Sequence, residues 1–262
     1  MYDSESLLQR PCPLTPSRGE PMSEQSATSG SQKGNVKLRW LGHAAFEIES
    51  SGGTRLLVDP FITDNPVTPE PLKKLDRYDG SDKPHAILVS HSHGDHSGNA
   101  KEIAKMTGAP VIGMVEWVSS LKLHAEQSKG GNIGGEIRVG DVSVHLVPAT
   151  HSTDGGSPIG FVIEFADHRT LYHTGDTWIM SDMALIEEVH HPDIILTCAG
   201  GGPYTQNPTV AVLAIRKFFK PSVIVPMHFA TFPVLASESD VRTAFAGDSR
   251  AVIMKPGDSK TV

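Results

Sequence analysis

Four side chains able to bind a metal ion fall within six residues, at His91-Ser92-His93-Gly94-Asp95-His96. Imidazole and carboxylate are the donors expected for zinc, iron or manganese. The motif follows the apolar run Ala86-Ile87-Leu88-Val89 and precedes a helix predicted from about Asn99 to Met106. It is therefore expected on a turn at the carboxyl end of a strand, where sites in α/β folds commonly lie. In extended chain alternate residues share a face, which puts His91 and His93 within reach of one ion. The turn at Gly94 then carries Asp95 and His96 toward a neighbouring position. A chance gathering of polar residues on an exposed loop is the competing reading, and the density of donors argues against it.

Three further candidates stand at the same phase relative to later apolar runs. His151 follows Val142 to Val147, Asp176 follows the run ending at Tyr172, and His228 follows Val223 to Val225. Taken singly, each reads as an ordinary loop or core residue. Recurring at strand ends like the first motif, they read as additional ligands.

The elements that must position these residues are legible in the hydrophobic pattern. Val36–Trp40, Ala45–Glu49 and Arg55–Val58 alternate and are joined by turn residues, which predicts an opening antiparallel sheet. Pro60 to Pro84 reads as loop with a short helix around Leu72–Leu75. After Ala86–Val89 come a strand at Val111–Gly113 and a helix over Glu116–Glu126. Hairpins are expected around Gly140-Asp141 and Asp167-His168, and a helix capped by Ser181 runs to about His190. The last third alternates: Ile194–Thr197, Pro208–Phe219, Val223–Val225, Asp240–Ala246 and Ala251–Met254. Hairpins followed by strand–helix alternation predict an α/β sandwich: two mixed β-sheets with helices on the outer faces. One domain is expected over residues 35–262. Residues 1–34, rich in Pro, Ser, Gly and Gln, read as a disordered tail, within which Met22 offers an alternative start.

The order His-x-His-x-Asp-His, His, Gly-Asp, His resembles the metallo-β-lactamase superfamily. The likeness is greatest to its small metal-dependent hydrolases related to ascorbate-6-phosphate lactonase. It covers about Val36 to Gly257 and is carried also by Leu41-Gly42-His43-Ala44-Ala45-Phe46, Val58-Asp59-Pro60-Phe61-Ile62 and Asn132-Ile133-Gly134-Gly135. His173-Thr174-Gly175-Asp176-Thr177, Pro226-Met227-His228 and Thr231-Phe232-Pro233 complete it. The resemblance implies an αββα metallo-β-lactamase-like fold and two divalent metal ions, zinc first, with manganese or iron as alternatives. It places His91, His93 and His151 on one metal. It places Asp95, His96 and His228 on the second, with Asp176 bridging. Asp59 would orient the ligands from beneath, and His43 would lie near the mouth of the site and meet substrate. A metal-bound hydroxide would then cleave an ester, lactone or phosphoester, with Asp95 relaying the proton. The segment Cys198 to Gln206 departs from the pattern of relatives and is expected to shape the pocket, with Cys198 a packing residue rather than a nucleophile.

Composition bounds the alternatives. The chain has 262 residues, 38% hydrophobic and 20% charged, which suits a globular domain. The net charge of −7 disfavours nucleic-acid partners, whose affinity is drawn from cationic surface. No apolar run reaches the roughly 20 residues a membrane helix needs. A cytoplasmic enzyme acting on a small molecule is expected, its oligomeric state left open. The rival from another class is a mononuclear iron sulfur-dioxygenase on the same scaffold.

Overall fold

The apolar alternation of the sequence resolves into two β-sheets stacked face to face. The computed structural model describes residues 34–262; the expected tail at 1–34 falls, but for Gly34, outside the described residues. The chain runs through β1 (Lys37–Gly42), β2 (Ala45–Glu49), β3 (Arg55–Val58) and β4 (Ala86–Leu88), then α1 (Gly94–Ser97) and α2 (Ala100–Thr107). It continues through β5 (Val111–Met114), α3 (Val115–Ser120), β6 (Ser128–Gly131), β7 (Glu136–Val139), β8 (Val142–Pro148), β9 (Ile159–Phe165) and β10 (Thr170–His173). The last stretch is α4 (Met183–His190), β11 (Ile194–Cys198), α5 (Pro208–Phe218), β12 (Val223–Met227), α6 (Glu238–Ala244) and β13 (Ser259–Thr261).

The first sheet has the order β13-β1-β2-β3-β4-β5-β6 and the second β12-β11-β10-β9-β8-β7. Both are mixed, because hairpins build one half and crossovers the other. β1 to β3 are antiparallel, while β3 to β6 are parallel. β7 to β10 are antiparallel, while β10 to β12 are parallel. The main core gathers alternate residues of both sheets, among them Leu38, Phe46, Val58 and Leu88 with Val144, Phe161, Leu171 and Val225. A second cluster joins the opposite face of the first sheet, through Leu57, Ile87 and Val111, to Ile103, Ala104 and Trp117 of the helices. That is the αββα sandwich expected from the pattern.

Local departures have local causes. The helix expected over Glu116–Glu126 stops at Ser120, and Lys122 takes a left-handed φ of 52° that no α-helix continues through. Ser181 does not cap α4; Asp182 stands at its N-cap, with no side-chain cap bond. Ala251–Met254 forms no strand, only an isolated bridge between Ala251 and Ile224. β13, unforeseen in a polar stretch, closes the first sheet against β1.

The packing reaches the site through Trp40. Its ring is buried between Phe46 and Phe229, at centroid distances of 6.3 and 5.1 Å. Its Nε1 donates to the His43 carbonyl at 2.9 Å. Trp40→Phe removes this donor and part of the ring volume. It is expected to lower stability by roughly 1–3 kcal/mol, read as a lower denaturant midpoint at unchanged slope.

Candidate metal centre

Every predicted ligand lies beyond the carboxyl end of a strand. β3 leads into Asp59 and β4 into His91-Ser92-His93, while Asp95 and His96 stand in the short helix α1. From the second sheet, β8 leads to His151, β10 to Asp176 and β12 to His228. Because β8, β10 and β12 run the same way, these three turns emerge at one end of the sheet. Hydrogen bonds stitch the two ends together. The Ile159 amide donates to the Ser90 carbonyl at 3.0 Å, and the His228 amide to the His43 carbonyl at 2.9 Å.

The backbone is held in uncommon conformations to achieve this. His43, Asp59 and His228 have φ of 55°, 45° and 67°, in the left-handed region that costs a non-glycine residue about 1–3 kcal/mol. Such strain persists where surrounding bonds over-determine it, as the Trp40 and His228 donors do for the His43 carbonyl. Two glycines serve the same end. Gly175, at φ 59°, turns the chain into Asp176, and a Cβ there would collide with the Ile159 carbonyl. At Gly200 a Cβ would collide with the His228 ring.

The structure brings all seven predicted ligands together. His91, His93 and His151 offer donor atoms within 4.8 Å of one another, as do Asp95, His96 and His228 together with His43. His91 Nε2 and His93 Nδ1 are 3.0 Å apart. Asp176 stands between the sets: its Oδ2 is 3.7 Å from His151 Nε2, 3.3 Å from His96 Nε2 and 2.9 Å from His228 Nε2.

Asp59, fully buried, fixes two of the imidazoles. It accepts from the Ser90 amide and hydroxyl at 2.7 Å each and from His96 Nδ1 at 2.8 Å. Ser90 Oγ in turn lies 3.0 Å from His91 Nδ1. With that oxygen's own proton given to Asp59, His91 Nδ1–H is the donor. Both rings are thereby oriented so that Nε2 faces the cluster. Carboxylates behind ligating histidines act in this way in metal sites generally.

These residues fit metal ions. His96 Nε2 and His228 Nε2 are buried and turned toward the Asp176 carboxylate, a gathering of nitrogen and oxygen donors of the kind that holds metal ions. Charge points the same way. Burial, and then the neighbouring His96, push His91 down to about 2, so it is neutral. Burial likewise lowers His151. Burial opposes the charge on His96 too, but Asp176 and Asp59 outweigh it and hold this imidazole protonated well above its usual range. Asp176, despite burial, is held well below the carboxylate range by His228 and His96.

His43 has no exposed surface, and both ring nitrogens are engaged, with Asp95 Oδ2 at 3.1 Å and Thr231 Oγ1 at 2.9 Å. Its ring lies 3.7 Å from that of His228. Burial, and then the neighbouring His228 ring, lower it to about 4, so it is neutral at pH 7. A neutral ring facing a carboxylate places its proton on Nε2, leaving Nδ1 to accept from Thr231. Asp95 is held below the carboxylate range because, against burial, His43 and His96 favour its anion.

Several contributors were not singled out from sequence. Ser90 was hidden beside the histidines it supports, and Thr231 lay in a matched stretch without an assigned role. Cys198 is buried as expected, but its thiol also approaches Asp176 Oδ1 at 3.6 Å, and burial pushes its pKa up, so it stays protonated. His173 is structural: its Nε2 donates to the Ala44 carbonyl at 3.1 Å and its Nδ1 accepts from the Gly175 amide.

The cluster forms the floor of a cavity of about 590 Å³. Pro203, Tyr204, Phe232, Val234 and Leu235 supply its walls, so the unusual segment after Cys198 does shape the pocket. No lysine or arginine is among the described lining residues. Among the described residues, no helix is long and apolar enough to cross a membrane.

The proton on His96 gives a measurable consequence. A metal ion taking His96 Nε2 must displace it, so apparent metal affinity rises with pH and falls on acidification. Calorimetry in buffers of different ionisation enthalpy is expected to register release of about one proton from His96 on metal uptake at neutral pH. Asp59→Asn, which removes the balancing charge, is expected to diminish that release and weaken binding by about 10–100-fold. Uptake without proton release would contradict a protonated His96 that gives up its proton to the metal.

Known proteins resemble this chain over most of its length. The beta-lactamase superfamily domain matches residues 37–228. A UPF0173 metal-dependent hydrolase of Anaeromyxobacter dehalogenans is 40% identical over 252 residues, covering 88% of this chain and 89% of its own. One from Archaeoglobus fulgidus is 40% identical over 238 residues, covering 86% and 98%. The solved structure of Igni18, a metallo hydrolase from Ignicoccus hospitalis, superposes with a TM-score of 0.76 at 35% identity, covering 87% of this chain and 98% of its own. The chain belongs to the UPF0173 metal-dependent hydrolases of the metallo-β-lactamase superfamily.

Proposed function

We propose that this protein is a binuclear enzyme, zinc-loaded by preference, that hydrolyses an uncharged carboxylic ester or lactone. The observation that carries this reading is the pocket: apolar walls at Tyr204, Phe232, Val234 and Leu235 above a floor of imidazoles and carboxylates. A phosphoester would bring a charge of its own, and recognition of phosphate ordinarily recruits arginine or lysine, which the described lining residues lack. An acyl group with apolar substituents is desolvated by such walls and presents its carbonyl to the floor.

His91, His93 and His151 would hold one ion and Asp95, His96 and His228 the other, joined by Asp176. Bound ions of this kind lower the pKa of water and polarise a carbonyl. The remaining chemistry belongs to the chain. Asp95, partly exposed to the cavity, is placed to accept a proton on a carboxylate oxygen and return it to the leaving alkoxide. His43, buried behind it, donates from Nε2 to Asp95 Oδ2 and fixes its orientation, with Thr231 fixing His43. We therefore place His43 as a positioning residue whose contact with substrate is made through Asp95. Tyr204 and Phe232 set the shape the acyl group must fit.

The test is a panel of esters, lactones and phosphodiesters offered to protein loaded separately with zinc, manganese and iron. Hydrolysis of apolar esters or lactones with zinc or manganese, abolished by chelation, is expected. Tyr204→Ala is expected to raise KM more than it lowers kcat. His43→Ala should keep the metal complement and lose roughly 10–100-fold in turnover. A preference for phosphodiesters would contradict the substrate class. Activity only with iron, with dioxygen consumed, would instead establish the sulfur-dioxygenase alternative.

A further inference from the structure

Away from the metal centre, the second sheet carries another group with ligand chemistry. His145 of β8 pairs with Val162, and Ser143 with Glu164 of β9, so His145 and Glu164 are diagonal neighbours on one face of the sheet. His190, the last residue of α4, reaches the same carboxylate from the helix. Its Nδ1 lies 2.8 Å from Glu164 Oε1, while His145 Nε2 lies 3.4 Å from Glu164 Oε2. One donor atom from each residue falls within 4.8 Å of the others, and the group shares no residue with the His91 centre.

Two features set this apart from an ordinary surface ion pair. His145 Nε2 is itself buried and makes no hydrogen bond, its approach to Glu164 Oε2 staying at 3.4 Å, so its polar demand is only loosely met. The carboxylate is also divided, one oxygen toward each ring, with the ring centroids 4.8 Å apart. Two imidazolium ions so close would repel each other across a single carboxylate. Two neutral imidazoles and one carboxylate are instead the ligand set of an open zinc site, with the remaining position left to solvent. A tetrahedron drawn around zinc at about 2.0–2.1 Å has edges of about 3.4 Å, which the His145–Glu164 separation already matches. The His side chains are 19% and 12% exposed and Glu164 41%, and a cavity of about 390 Å³ opens on them beside Gly134 and Val189. The two rings are thus mostly shielded, while the carboxylate and the approach are open.

We propose that His145, Glu164 and His190 form a second metal site, taking one divalent cation of the zinc class and clipping the C-terminal end of α4 to β8 and β9. Between Asp176 and α4 lie only six residues, so the clip anchors the far side of the segment that carries the bridging carboxylate. A cation bound only by the folded state raises the melting temperature as its concentration rises.

Protein already carrying its full catalytic metal complement is titrated with zinc chloride, with calorimetry and melting temperature read together. One further equivalent is expected, accompanied by a rise in melting temperature. Both should vanish in the His145→Ala/His190→Ala double variant, which keeps the catalytic complement. Glu164→Gln, which preserves the side-chain shape, should lose the further equivalent without a change in the fold seen by circular dichroism. Absence of the further equivalent in the wild type overturns the proposal. So does its survival in the variants, or its appearance only at millimolar zinc.

Discussion

A buried carboxylate oxygen surrounded by three imidazoles is the constraint around which this molecule is arranged. Asp176 Oδ2 sits 2.9, 3.3 and 3.7 Å from the Nε2 atoms of His228, His96 and His151. A charge removed from water must be matched in place, because desolvation of an ionised group is otherwise prohibitive. The match comes from both sheets: His96 from the first and His228 from the second. The sandwich is therefore fixed at its site end by chemistry as well as by apolar packing. The same arrangement explains why Gly175 and Gly200 are glycine, since a Cβ would meet the Ile159 carbonyl at the first and the His228 ring at the second.

Around this centre the supporting bonds run outward in two chains. One passes from His96 through Asp59 to Ser90 and His91. It sets which nitrogen of each ring faces inward and ties His96 of α1 to His91 beyond β4. The other passes from Asp95 through His43 to Thr231, and from the His43 carbonyl to Trp40 and His228. It couples the exposed carboxylate to the deepest part of the core. Left-handed φ values at His43, Asp59 and His228 lie on these chains. They turn these side chains toward the cluster where regular strand geometry would not.

Much of this was legible in the amino-acid order. Strands β3, β4, β8, β10 and β12 carry dense apolar residues, so the positions just beyond them, and thus the seven candidate ligands that the structure gathers, could be read from where each run ended. What was not legible depended on contacts between distant segments. Thr231 reaches His43 across 188 positions, and nothing near either residue announces it. Likewise β13 is polar and exposed, and it becomes a strand only because β1 offers it an edge. The helix expected beyond Ser120 failed for the opposite reason: its local pattern was adequate, but the chain turned at Lys122 to deliver β6 beside β5. His145, Glu164 and His190 are separate in sequence and meet only through strand register and the length of α4.

The claim that one carboxylate joins two metal positions is tested most directly by metal stoichiometry in Asp176→Ala. Wild-type protein should retain two ions after removal of free metal, and the variant one, with most turnover lost and the secondary structure unchanged. Two ions retained in the variant with full activity would contradict the bridge.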